Sequence, residues 1–194
     1  MDATGGSERT LHGPGAPGGT IVDFWRWAFT DILVNTTRGV FAEWLVAQLL
    51  EIPMSSDRVE WDTCDLITPE GVRIEVKSGA YRQKWHTNHP VSKIIFSGLR
   101  ARVWSADTGL YSAEQSFNAD IYAFCVQIQT DMQKWDAFDL NQWRFYALRK
   151  ADIERLNQNS IGLATLRRLT DEMDAPAFQE RMRRELAAVD VRRP

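Results

Sequence analysis

Residues 120–127 constrain the fold more tightly than any other part of this 194-residue chain. Asp120 opens the segment and Gln127 closes it. Between them Ile121, Tyr122, Ala123, Phe124, Cys125 and Val126 follow one another without a charge. An apolar run of strand length has no polar face to turn toward water, so it predicts a central strand covered on both sides. A layered α/β domain supplies such cover.

Residues 72–78 carry a different signature. Val72, Ile74 and Val76 alternate with Arg73, Glu75 and Lys77, which predicts a strand with one apolar and one charged face. The preceding Thr68, Pro69, Glu70 and Gly71 have the composition of a tight hairpin turn, so residues 58–67 are expected to form the partner strand. Further strands are predicted over residues 92–97 and 142–148. Helices are predicted over residues 21–33, 37–51, 150–156 and 175–189. In the second helix Val40, Phe41, Trp44, Leu45 and Leu49 recur at three- and four-residue intervals, with Asn35 or Thr36 as its cap. Trp25, Trp27, Trp44 and Trp143 fall in apolar or amphipathic elements and are expected in the core. Residues 98–118 show no clear periodicity, as functional segments often do not. The expected fold class is α/β, with a mixed five-stranded sheet flanked by helices. Residues 1–20, rich in Gly, Ser, Thr and Pro, are expected to be a flexible leader, and residues 21–194 one domain.

Composition narrows the function. With 44% hydrophobic and 25% charged residues, the chain has the balance of a globular protein. The longest apolar run, residues 41–50, is broken by Glu43 and Gln48 and is too short to cross a bilayer. The N-terminus lacks the basic-then-apolar order of a signal peptide. Cys64 and Cys125 are too few for a disulfide framework and are expected as reduced core residues of a cytoplasmic protein. A net charge of −3 argues against a general nucleic-acid coat. Residues 71–104, however, hold seven cations (Arg73, Lys77, Arg82, Lys84, Lys93, Arg100 and Arg102) against the single anion Glu75. A basic segment on an acidic protein suits a local phosphate-binding surface, with a solvated edge as the bland alternative.

The chemistry concentrates on the hairpin. Alternation puts Glu75 and Lys77 on one strand face, and a short turn brings Asp65 beside them. Paired carboxylates repel, so a strand pair gains nothing by holding them close unless a cation lies between. Two hard oxygen donors, with the carbonyl of Val76, suit Mg²⁺, for which Mn²⁺ would substitute. Such an ion would polarise a phosphodiester, and Lys77 would orient the attacking water and offset the growing charge. Asp62 is a rival to Asp65 as ligand.

Asp65, Glu75 and Lys77, spaced D-x9-E-x-K across a hairpin, resemble the PD-(D/E)XK superfamily of restriction and repair nucleases, over about residues 38–148. The resemblance implies a restriction-endonuclease-like core of a helix, three antiparallel strands, then further strands and helices. It implies a metal-dependent DNA nuclease, expected to be an endonuclease, acting in restriction, repair or defence. A glutamate on the preceding helix often completes the acidic cluster in that superfamily, and Glu43 occupies that place. Cys64 stands where the motif has proline. Gln83 would correspond to a glutamine that helps orient the metal water. Ser78, Tyr81, Arg82, Gln83, Lys84 and Trp85 mix cations with aromatics as DNA contact requires. Arg73, Lys93, Arg100, Arg102 and Trp104 extend that expected surface. His86 and His89 supply only two zinc ligands, so a surface or DNA-contact role is expected for them. Dimerisation, through residues 98–118 or the aromatic N-terminal helix, is expected by analogy. Rival readings are an inactive nucleic-acid-binding module of the same fold, a nuclease acting on RNA, and an interaction protein.

Overall fold

The computed structural model describes residues 9–54, 63–84, 91–105 and 108–189. In chain order the elements are α1 (Ile21–Phe29), α2 (Asn35–Leu49), β1 (Leu66–Ile67), β2 (Arg73–Ala80), β3 (Ile95–Ser97), β4 (Trp104–Ser105), β5 (Leu110–Tyr111), β6 (Ile121–Gln127), β7 (Trp143–Arg149), α3 (Lys150–Leu156), β8 (Ser160–Gly162), α4 (Leu163–Leu169) and α5 (Ala175–Ala187).

The main sheet has the order β1-β2-β6-β7. β1 runs antiparallel to β2, β2 parallel to β6, and β6 antiparallel to β7, so the sheet is mixed. All seven residues of β6 are buried, as an apolar strand in a doubly covered sheet should be. Alternation divides them between two cores. Ile121, Ala123 and Cys125 pack with Ile74, Val76 and Phe145 against α2 and α5. Tyr122, Phe124 and Val126 pack with Phe96, Ile153, Ile161 and Leu166, drawn from β3, α3, β8 and α4. Helices therefore flank a mixed sheet on both faces. Cys64 and Cys125 are buried thiols outside any disulfide, and the Cys64 Sγ donates to the Leu66 carbonyl. Among the described residues no helix is long and apolar enough to cross a membrane.

Several expectations need correcting. The main sheet has four strands among the described residues, where five were expected. The strand expected over residues 92–97 shrinks to β3, which leaves that sheet and pairs antiparallel with β8. The cause lies in Gly79 of β2. A Cβ there would lie 2.6 Å from Cγ2 of Ile94 and 3.3 Å from Cε1 of Phe96. The missing side chain lets this segment pack onto the face of β2 instead of extending its edge. β8, α4 and the β4–β5 hairpin were not anticipated, the last of these lying inside residues 98–118. Of the four core tryptophans expected, only Trp143 is fully buried. Trp27 is 82% exposed, Trp25 44% and Trp44 40%. α1 is a helix as expected but buries none of its residues. Within the expected leader, Thr10 bridges Thr20, and Thr20 forms a capping box with Asp23 at the start of α1. Residues 1–8 of the leader and residues 58–62 of the expected first strand lie outside the described residues.

Candidate active site

The hairpin is short because its turn is tight. The Gly71 amide donates to the Thr68 carbonyl at 2.8 Å, and Gly71 adopts φ 84°, a backbone conformation that costs glycine little. Strand pairing then covers only Leu66 opposite Ile74 and Ile67 opposite Arg73. Beyond it Asp65 takes over the role of the ladder. Its amide donates to the Ile74 carbonyl at 3.1 Å, and its Oδ2 accepts the Val76 amide at 2.6 Å. The carboxylate is thus fixed against the stretch of β2 that carries Glu75 and Lys77. Those two side chains share a face as alternation predicts, with Nζ of Lys77 2.6 Å from Oε1 of Glu75.

The electrostatics of Asp65 reflect this crowding. Its pKa is pushed up to about 7, first by burial and then by the negative charges of Glu75 and of Glu43. The Val76 amide and Lys77 act in the opposite direction. Glu43 comes from α2, on the other face of the sheet, yet is close enough to Asp65 to contribute. The sheet register sets Tyr122 beside Glu75. Its hydroxyl donates to the Leu99 carbonyl at 3.1 Å, and burial with the Glu75 charge holds the phenol protonated. No group of three His, Cys, Asp or Glu side chains forms a ready metal cage among the described residues. The donors on hand are the Asp65 and Glu75 carboxylates with the Val76 carbonyl. That hard, incomplete set fits Mg²⁺, which keeps several of its waters.

Lys77 also lines a cleft of about 350 Å³, together with Arg38, Ser78, Gln83, Lys93 and Phe96. The other cations expected to meet nucleic acid are placed less uniformly. Arg73 lies 3.5 Å from Asp120, whose carboxylate also accepts the Arg73 amide. Lys84 lies 2.5 Å from Asp31. With Lys77 on Glu75, at least three of the seven cations of residues 71–104 face carboxylates of the described residues, so counting charge along the chain overstated the local field. Arg82 donates to the Thr130 carbonyl at 2.9 Å. Arg100 lies 4.6 Å over the Phe117 ring and donates to Asn157. Tyr81 is half-buried against the second core. Lys93 and Arg102 are exposed. Trp104 is exposed as well. Asp62, Trp85, His86 and His89 lie outside the described residues.

Sequence reasoning missed Arg38, which is 2% exposed. Its guanidinium donates to the Leu33 carbonyl at 3.0 Å, to Oε1 of Gln83 at 3.3 Å and to Oδ1 of Asn35 at 2.5 Å. Burial lowers its pKa to about 10, which leaves it charged at neutral pH. The available signal was a cation in the first turn of an apolar helix, where the macrodipole disfavours it.

The family model of bacteriophage T4 endonuclease IV matches residues 28–165, from the end of α1 into α4. The chain belongs to the bacteriophage T4 endonuclease IV family. Glu43, Asp65, Glu75 and Lys77 all fall inside the stretch matched to this nuclease family, as does the cleft beside Lys77, whereas α5 lies beyond it. No curated protein matches the chain.

Proposed function

We propose that this member of the endonuclease IV family is a Mg²⁺-dependent DNA endonuclease of PD-(D/E)XK type, with Asp65, Glu75 and Lys77 as its catalytic set. The observation that carries the reading is the state of Asp65. Its carboxyl is half-buried, fixed by the Val76 amide and crowded by two further carboxylates. A fold gains nothing from that crowding unless a cation relieves it. The restriction-endonuclease-like core belongs to the same proposal. In support of it, α2 packs beneath a hairpin whose second strand runs parallel to a buried central strand.

Asp65, Glu75 and the Val76 carbonyl would hold the ion, with Glu43 completing the acidic cluster. When bound, Mg²⁺ supplies Lewis-acid polarisation of the phosphodiester and lowers the pKa of a neighbouring water. The protein's own groups do the rest. The Val76 amide keeps the Asp65 carboxylate aimed at the site. Lys77 donates toward the water and toward the phosphoryl oxygens, where negative charge grows in the transition state. Its contact with Glu75 keeps the ammonium in place. The cations of the neighbouring cleft attract the DNA backbone.

Incubation with covalently closed circular DNA tests this reading. Nicking or linearisation with Mg²⁺ or Mn²⁺, absent with chelator, is the expected result. Degradation confined to linear DNA would remove the endonuclease reading. Cutting that persists in chelator would remove the metal.

A further inference from the structure

We propose that the cleft beside Lys77 is a phosphate subsite, built around the buried guanidinium of Arg38, that seats a phosphate of the bound strand next to the one being cut. The inference rests on the nuclease reading for its ligand, but its geometry stands apart from the acidic cluster. Arg38 is nearly inaccessible, yet every acceptor it meets is a neutral oxygen. Among the described residues no carboxylate pairs with it, and its Nε meets no hydrogen-bond partner. A buried cation without a counter-ion is expensive unless an anion arrives to compensate it.

The surroundings suit an anion. Arg38 lies in the first turn of the fifteen-residue helix α2, which begins at Val34 without a side-chain cap. Asn35 and Arg38, at the start of that helix, form one wall of the cleft, on the side of the positive end of its dipole. Lys77 and Lys93 line the same space, as does Gln83, whose Oε1 accepts from Arg38 at 3.3 Å. A volume of about 350 Å³ is ample for a phosphate group and its flanking sugar atoms. Lys77 belongs to both the cleft and the Glu75 contact, so an anion seated there adjoins the proposed cutting centre.

The test is binding of a short labelled oligonucleotide in Ca²⁺, which permits binding without fast cutting, across a salt series. Wild type is compared with Arg38→Gln and with Lys93→Gln, each checked by thermal melting. Lys93 is exposed, so its variant reports even if Arg38→Gln fails to fold. The expected result is an affinity loss of about tenfold in each folded variant, from a lost charge-assisted contact. The salt slope should also shallow by about 0.7 to 0.9 for the lost phosphate contact. Inorganic phosphate should compete with the oligonucleotide on wild type and fail to compete on the variants. Unchanged affinity and slope in the folded variants would overturn the subsite. So would phosphate binding that depends on Arg38 while oligonucleotide binding does not, since the site would then serve the free ion. Metal-dependent cutting with Arg38-independent binding would leave the nuclease reading standing and remove this inference. Arg38-dependent binding without cutting would do the reverse.

Discussion

Replacing Asp65 with asparagine should make the metal-free protein more stable, and increasingly so as the pH rises. The Asp65 carboxyl has its pKa raised from 3.8 to about 7, so the folded state retains a proton that the unfolded chain gives up. A raised carboxyl pKa is a penalty that is absent in acid, grows as the pH passes from the unfolded value toward the folded one, and levels off above it. Proton linkage with those two values puts the penalty at roughly 1 to 2 kcal/mol near pH 5 and roughly 4 kcal/mol near pH 8. Asp65→Asn is neutral throughout, and its amide oxygen can still accept the Val76 N–H that Oδ2 accepts now. Urea denaturation of both proteins in chelator at the two pH values should therefore show the difference between them widening by roughly 2 to 3 kcal/mol. Saturating Mg²⁺ should shrink or reverse the gap, because a bound cation favours the carboxylate. Parallel stability profiles for the two proteins across that range would refute the argument that Asp65 is held against its charge.

Two further predictions concern the scaffold, and one its edge. Gly79→Ala drives a methyl group to 2.6 Å from Ile94, so the melting temperature should fall by the equivalent of about 1–3 kcal/mol, as overpacking does. Phe178→Ala removes a fully buried ring whose centroid lies 5.0 Å from that of Phe145, and denaturation should show a loss of about 3–5 kcal/mol. Trp27→Ala, by contrast, touches a ring that is 82% exposed and should leave stability within about 0.5 kcal/mol of wild type.

The parts of the fold legible in the sequence were those where one short-range pattern decides the outcome. The unbroken apolar run of β6 could only be covered on both faces, and the alternation across β2 placed Glu75 and Lys77 together. Turn chemistry at residues 68–71 then brought Asp65 to the same place. The parts that were not legible depend on contacts distant in sequence. Nothing local to residues 92–97 says that Ile94 and Phe96 fill the space above Gly79, so β3 was assigned to the main sheet. α1 has the composition of a core helix, but burial depends on having a surface to pack against, and it buries none of its residues. Charge shows the same limit. Arg73, Lys77 and Lys84 read as free cations until Asp120, Glu75 and Asp31 are placed beside them. Arg38 read as an unremarked helix residue until Gln83, forty-five positions away, closed over it.

The central claim is that Asp65, Glu75 and Lys77 form the centre that cuts DNA, and one measurement tests it most directly. Supercoiled plasmid is incubated with Mg²⁺ and wild-type protein, beside Lys77→Ala and Glu75→Ala variants shown by melting to be folded. Wild type should cut and both variants should lose cutting, a fall of at least about a hundredfold for removing a transition-state contact of this kind. Equal cutting by all three proteins would contradict it and place the active centre elsewhere in the chain.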